Sequence, residues 1–338
     1  MPFKTLNRQV DSNKTLLCLF LILLFFVVVT FLHQEQQRSI ELPSQRLLAA
    51  TSSSSDKTHF MYRTRMKDGV PLVKLKIGKR RPDSVTCIAD SGSMELNIAH
   101  ASCRGCVKSR GAYTGEIETQ NQSTIVYGSQ ADTVVRTQDY IHPFPNKIPF
   151  VTTIKRQEGT SNFSVFGLLK AEDGTTNHMV PDTYCLYMKV PDEGQVGFLT
   201  RKKPRELDGM VRFDLDRQIE PFVGLKVSKI VYKNGEVDTS LSHCIVDSGS
   251  NMSSFPTHIY EKLVKTSYFP ATLYFELPDR TLYGYELGRK QLLWRKIDGE
   301  FMIDDDVGIL SKADCMILGC FAMQGRALGF DLNHFYLK

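Results

Sequence analysis

Two short acidic segments contain the residues most able to do chemistry. CIADSGSM at 87–94 and CIVDSGSN at 244–251 share six of eight positions, and each follows an apolar stretch typical of a β-strand. Each segment supplies one aspartate, Asp90 and Asp247. Two carboxylates a few ångströms apart cannot both ionise at little cost, so one keeps a proton while the other is charged. Such a pair can act as general acid and general base together, whereas a single Asp-Ser-Gly turn is an ordinary surface turn.

The elements that must position these turns also repeat. VPLVKLKIG precedes the first turn and SVFGLL follows it, while GLKVSKIVYKNGE precedes the second and CMILGCF follows it. Asp90 lies 77 positions before Gly167, and Asp247 lies 72 positions before Gly319. An Asn-Gly pair in IVYKNGEV predicts a hairpin, and THIYEKLVK at 257–265 is the best helix candidate. The sequence therefore predicts a mostly β protein made of two homologous halves.

The doubled turn, together with the terminal segment MILGCFAMQGRALGFDLNHFYL, resembles the pepsin-like aspartic proteases over about residues 65–335. The resemblance implies a two-lobed acid protease fold with a central cleft, with lobes at 60–200 and 201–338. It also implies an endopeptidase in which Asp90 and Asp247 activate a water to cleave extended peptide or protein substrates. A split pair of carboxyl pKa values is a documented property of this enzyme class. Neither a metal nor an organic cofactor is implied.

The resemblance gives the other turn residues matching roles in the two lobes. The first serines brace the turns across the lobe interface, the glycines permit the tight backbone, and the second serines bond the carboxylates. These pairs are Ser91 with Ser248, Gly92 with Gly249, and Ser93 with Ser250. STIVYGS corresponds to the flap over the cleft and places Tyr127 and Gly128 on it.

Two positions depart from the family pattern. Asn97 stands where the family usually has a tryptophan that bonds the flap tyrosine, and Cys320 replaces the usual aspartate after Ile-Leu-Gly. These changes keep a second hypothesis open, a catalytically weak or inactive lobe pair that binds a peptide or protein in its cleft. The spacing of Cys103 and Cys106 fits half a zinc site or a redox pair, while the resemblance implies a small disulfide loop.

The N-terminal region predicts attachment to a membrane. Residues 15–32 are uncharged and apolar, and 18 residues of helix span about 27 Å, close to the hydrocarbon core of a bilayer. Three basic residues before this segment predict a cytoplasmic tail at 1–14, and hence a type II protein whose remaining part is lumenal or extracellular. Polar residues 33–59 are interpreted as a stalk or short pro-region. The alternative is a cleaved signal peptide and a secreted form.

Net charge, cysteine content and sequons give further expectations about partners, disulfides and glycosylation. The net charge of +5 is spread over 338 residues, which is too dilute for a nucleic-acid footprint. The resemblance implies a peptide or protein substrate, and we expect a monomer. Seven cysteines follow the apolar segment, so at least one should lie outside an intramolecular disulfide. Asn121 and Asn162 are weak glycosylation candidates, and a third sequon at Asn251 follows the second acidic turn too closely for a glycan to fit.

Overall fold

The chain is described by a computed structural model. It covers residues 60–106, 111–127, 130–156, 164–170, 174–219, 222–287, 295–297, 300–302 and 314–338. The tail, apolar segment and stalk predicted at 1–14, 15–32 and 33–59 lie outside these ranges. Among the residues that the structure describes, no helix is both long enough and apolar enough to cross a bilayer. Residues 56–338 form one compact unit.

Short strands dominate the described residues. They are β1 (Met61–Lys67), β2 (Val70–Ile77), β3 (Asp83–Asp90), β4 (Leu96–Arg104), β5 (Gln122–Tyr127), β6 (Gln130–Tyr140), β7 (Lys147–Lys155), β8 (Ser164–Gly167), β9 (Cys185–Lys189), β10 (Val196–Lys202), β11 (Val211–Asp214), β12 (Gly224–Tyr232), β13 (Val237–Asp238), β14 (His243–Asp247), β15 (Ala271–Glu276), β16 (Leu282–Leu287), β17 (Arg295–Ile297), β18 (Glu300–Met302), β19 (Cys315–Gly319), β20 (Ala327–Phe330) and β21 (His334–Leu337). The α-helices are α1 (Thr175–Met179), α2 (Thr257–Leu263) and α3 (Cys320–Met323), and 3-10 turns lie at Pro204–Leu207, Arg217–Ile219 and Thr266–Tyr268. The mostly β class predicted from the sequence is confirmed.

The strands form two large sheets. A thirteen-stranded sheet runs in the order β11-β21-β20-β9-β10-β1-β2-β3-β8-β4-β7-β6-β5, and a second runs β16-β15-β12-β14-β19 with β13 paired to β12. β17 and β18 form a separate pair. Because β9 pairs with β20, the larger sheet joins the first half of the chain to its end. The lobe boundary expected between residues 200 and 201 falls inside β10.

The repeat seen in the sequence is present in the sheets. β3 pairs antiparallel with β2 and parallel with β8, and Asp90 lies opposite Gly167. β14 pairs antiparallel with β12 and parallel with β19, and Asp247 lies opposite Gly319. Each aspartate therefore ends a strand that is enclosed between two neighbours, so both carboxylates project from equivalent, well-supported positions.

Local patterns explain the elements that flank these strands. The Asn-Gly pair forms the predicted turn, in which Gly235 N–H donates to Tyr232 O at 2.9 Å and β12 pairs with β13. The predicted helix at 257–265 is present as α2, which buries Ile259 and Leu263. One hydrophobic core runs through both halves of the chain and includes the thiols of Cys87 and Cys244.

Candidate active site

The two acidic turns face each other at the ends of β3 and β14. A Cβ added to Gly92 would lie 2.8 Å from Asp247 Cγ, and a Cβ added to Gly249 would lie 2.4 Å from Asp90 Cγ. Each glycine therefore lies directly against the carboxylate of the opposite turn, where any larger residue would collide. Asp90 lies close enough to raise the pKa of the Asp247 carboxyl. Residues that are 157 positions apart in the chain thus form one pair of carboxylates.

Ser91 and Ser248 lock the two turns together. Ser91 N–H donates to Ser248 Oγ at 3.0 Å, and Ser248 N–H donates to Ser91 Oγ at 2.9 Å. Each hydroxyl also donates a hydrogen bond to the strand of the opposite half: Ser91 Oγ to Val246 O at 2.8 Å, and Ser248 Oγ to Ala89 O at 2.7 Å. Both serines are fully buried. Four buried hydrogen bonds related by the internal repeat therefore fix the separation of the carboxylates.

The second serines of the turns are not equivalent. Asp90 accepts hydrogen bonds from Gly92 N–H at 2.8 Å and from Ser93 Oγ at 2.5 Å, as the resemblance implies. Asp247 accepts from Gly249 N–H at 2.8 Å and from Ser250 N–H at 3.2 Å.

The expectation that the Ser250 side chain bonds a carboxylate is wrong. Ser250 Oγ donates to Met252 O at 2.9 Å, so the hydroxyl caps the backbone after the turn and only the Ser250 amide reaches Asp247.

The environment of Asp247 favours its protonated form. Burial raises the pKa of this carboxyl well above its usual range, and the charge of Asp90 and the hydrogen bond with it raise the pKa further. The amides of Gly249 and Ser250 oppose the shift. A proton is therefore held between the two carboxylates at a pH where an ordinary aspartate has lost it.

A buried polar network is attached to the β5–β6 hairpin, which corresponds to the flap. Asp132 on β6 accepts from Arg156 Nη2 at 2.7 Å and from Arg156 Nε at 3.0 Å, and both side chains are almost fully buried. Thr153 Oγ1 donates to Asn97 Oδ1 at 2.6 Å and lies 3.4 Å from Asp132 Oδ2. Asn97, in the usual tryptophan position, is therefore directed into the interior and joined through Thr153 to the hairpin.

The remaining flap residues are described only in part. The backbone of Tyr127 pairs with Gln130 in the β5–β6 hairpin, which agrees with the expected position of the segment. Gly128 lies outside the described residues. Sequence reasoning identified the hairpin but missed the Asp132–Arg156 pair, because no motif links two single charged residues 24 positions apart.

Two cysteine predictions can be compared with the structure. Cys103 and Cys106 form a disulfide, as the resemblance implies, so their sulfurs are not held as a pair of zinc ligands. Cys320 is fully buried next to the second turn, and its N–H donates to Ser250 O at 2.7 Å. Burial, and then the charge of Asp247, raise the pKa of the Cys320 thiol, so the residue is a neutral neighbour of the carboxylate pair.

The sequons differ in their surroundings. Asn121 is exposed just before β5, and Asn162 lies outside the described residues. Asn251 packs against the β1–β2 turn, where its Cβ would lie 2.9 Å from a Cβ added to Gly69. That contact leaves little room for a glycan at Asn251.

Comparison with known proteins supports the architecture. No protein-family model matches the sequence, and no curated protein matches it. Among solved structures, the chain is similar to the aspartic proteinase from Irpex lacteus, with a TM-score of 0.59 and 14% identity over 83% of this chain and 97% of that chain. At this identity the likeness establishes the fold, and the expected pepsin-like architecture is confirmed.

Proposed function

We propose that the protein is an aspartic endopeptidase that cleaves extended peptides or proteins. The observation that carries this proposal is the pair of carboxyl groups on the facing turns, Asp90 and Asp247, held by reciprocal bonds between Ser91 and Ser248. Structural roles alone do not require two partly buried carboxyl groups side by side, because placing like charges together costs stability. Their retention at the ends of two matched strands is best explained by acid–base chemistry.

The environments of the two carboxylates suggest how they divide the reaction. Asp247 carries the proton, since its pKa is raised, and donates it to the oxygen of the scissile carbonyl. Asp90, which accepts the short hydrogen bond from Ser93 Oγ, takes a proton from the attacking water. The water oxygen bonds to the carbonyl carbon. Collapse of the tetrahedral intermediate then breaks the C–N bond, as Asp90 passes the proton taken from the water to the amine nitrogen and a hydroxyl of the intermediate returns a proton to Asp247. Only the carboxylates and a water take part.

Cleavage of a mixed peptide library by residues 56–338 between about pH 3 and pH 7 tests the proposal. We expect cleavage on the acid side that Asp247→Asn abolishes. Asp279→Asn is the matched control, because Asp279 is an exposed aspartate whose carboxylate bonds only its own turn at Thr281. Cleavage that survives in Asp247→Asn, or absence of cleavage by a folded wild type, contradicts the proposal.

One observation favours a second function, the binding of a peptide without cleavage. Asn97 is fully buried and its Oδ1 accepts from Thr153, so this position does not present the usual indole to the flap. Calorimetry with the same library distinguishes the two functions. Saturable binding by wild type and Asp247→Asn alike, with every peptide recovered intact, would favour the binding protein.

We further propose that residues 15–32 anchor the protein in an endomembrane or the cell surface as a single-pass type II protein. The support is the length and apolar character of that segment and the basic residues that precede it. Extraction of expressed full chain with alkaline carbonate tests this. Retention in the pellet is expected, whereas a shortened chain in the supernatant would show a cleaved signal and a secreted form. Glycosylation at Asn121 would be seen as a glycosidase-sensitive mass.

A further inference from the structure

An unusually basic strip of chain supplies two adjacent strands of the larger sheet. Residues 61–81 contain eight basic residues and a single acidic one, a net charge of +7 that exceeds the +5 of the entire chain. β1 and β2 fall within this strip and lie side by side between β10 and β3. No residue of β9, β10, β1 or β2 is acidic.

The register places four of these cations on the same side of the sheet. Side chains alternate along β1 and β2, with Arg63, Arg65, Lys74 and Lys76 exposed and their neighbours turned inward. Arg65 lies directly opposite Leu72 on β2. Lys74 and Lys76 follow Leu72 by two and four positions, so their side chains point to the same side of the sheet as those of Arg63 and Arg65. We call the outward side of β10, β1 and β2 the basic face.

The basic face also exposes apolar side chains. Met61 is 64% exposed and Val196 is 54% exposed, the highest values among large hydrophobic residues in the described part of the chain, where only Val237 equals Val196. Met61 lies on the same side of β1 as Arg63 and Arg65, and Val196 on β10 lies opposite Arg65. Cations and exposed apolar groups are therefore interleaved on one sheet surface.

We propose that the basic face docks on anionic lipids of the lumenal or outer leaflet, the leaflet that the fold faces in the proposed type II topology. The four cations match lipid phosphate and carboxylate groups, and Met61 and Val196 are positioned to enter the boundary between headgroups and acyl chains. A polyanion in solution would need the cations but would gain nothing from the exposed Met61 and Val196. The proposal does not depend on the proposed cleavage activity, whereas its argument from the preceding chain rests on the proposed anchor.

The length of the preceding chain supports this occupant. The 27 residues from 33 to 59 separate the apolar segment from the described fold, and β1 begins at Met61. Even fully extended, such a tether reaches only about 95 Å. An anchored chain therefore holds the basic face at a high effective concentration near the bilayer, where a weak docking contact becomes occupied.

Lysine footprinting of the full chain in nanodiscs tests the proposal. Trace amine labelling is followed by mass spectrometry, in discs of phosphatidylcholine alone and in discs that also contain phosphatidylserine. We expect Lys74 and Lys76 to be protected only in the phosphatidylserine discs and the protection to disappear at high salt, since salt screens surface charge. The exposed lysines Lys233 and Lys265, on other elements, should react equally in both. Equal labelling of Lys74 and Lys76 in both lipids overturns the proposal.

Substitutions identify the groups responsible. Arg63→Gln should lower the protection of Lys74 and Lys76 about fivefold, because each cation near an anionic surface contributes about 1 kcal/mol. Met61→Glu should also lower it, whereas Val237→Glu, an equally acidic change at an equally exposed valine on β13, should not. If soluble heparin protects the lysines in neutral discs and Met61→Glu has no effect, the partner is a soluble polyanion and membrane docking is refuted.

Discussion

The unfolding free energy of the Asp247→Asn variant, relative to that of wild type, should increase as the pH rises above about 4. In the folded chain, burial and Asp90 raise the pKa of Asp247, so the folded state holds a proton that the unfolded chain releases near its ordinary pKa of about 4. Between these two pKa values the folded state binds more protons, so wild-type stability falls as the pH rises. The amide of the Asp247→Asn variant does not titrate, so the variant should escape this loss.

The size of the effect follows from one proton. The difference in unfolding free energy between Asp247→Asn and wild type should grow by up to about 1.4 kcal/mol per pH unit, until the pH passes the pKa of the folded carboxyl. Above that pH the difference should be constant. The pH at which it levels off is therefore a measurement of the folded pKa of the pair.

Urea unfolding of residues 56–338 at a series of pH values from about 4 to about 8 provides the measurement. Asp279→Asn is the control, because hydrogen bonds from Thr281 lower the pKa of Asp279, so any pH dependence that this residue adds has the opposite sign and is confined to the acid end of the range. A difference for Asp247→Asn that is flat over the whole range would refute the reasoning, since it would mean that folding leaves the pKa of Asp247 unchanged.

Three further substitutions test other parts of the site. Ser91→Ala removes two buried hydrogen bonds, to Val246 O and from Ser248 N–H, and should cost about 2–5 kcal/mol of unfolding free energy in urea titration. Gly249→Ala places a Cβ 2.4 Å from Asp90 Cγ and should lower kcat/KM at least about 100-fold in the peptide assay, because the carboxylate must move. Arg156→Met leaves the buried Asp132 carboxylate without its principal cation and should lower the unfolding free energy by about 3–5 kcal/mol. Adding Asp132→Leu to this variant removes the buried charge and should restore a large part of the lost stability.

Two of these, Ser91→Ala and Gly249→Ala, have a matched comparison. Ser84→Ala, on the exposed side of β3, should change stability by less than about 0.5 kcal/mol. Gly194→Ala has no atom within 4 Å of the new Cβ, but its φ of +79° makes the change cost about 1–2 kcal/mol of stability while kcat/KM is retained. A loss below about 1 kcal/mol for Ser91→Ala or Arg156→Met would contradict the corresponding argument.

The repeated elements were predictable because the chemistry and the spacing coincide. A carboxylate between a buried strand and a glycine turn constrains several neighbouring positions at once, so the two copies at Asp90 and Asp247 kept six of eight residues in common. The β2–β3 and β12–β14 pairings follow from the same runs of apolar residues. Local rules also predicted α2 and the Asn-Gly turn before β13, since both depend on contiguous residues.

Features without a sequence signature were not predictable. Ser250 occupies the same motif position as Ser93, yet its hydroxyl bonds Met252 O, because the chain after the second turn follows a different path. The Asp132–Arg156 pair has no sequence signature. The basic face was overlooked for a related reason: averaging charge over the whole chain conceals cations that alternate along β1 and β2, and only the strand register brings them together.

The order of the strands along the chain limits when the carboxylate pair can assemble during synthesis. Asp90 ends β3 and Asp247 ends β14, 157 positions later. At a translation rate of about 5–20 residues per second, Asp90 leaves the ribosome about 8–30 s before Asp247. The larger sheet closes later still, because β20 and β21, which pair with β9 and β11, follow β14 in the chain. The nascent chain therefore carries a solitary aspartate on its first acidic turn until the second turn has been synthesised.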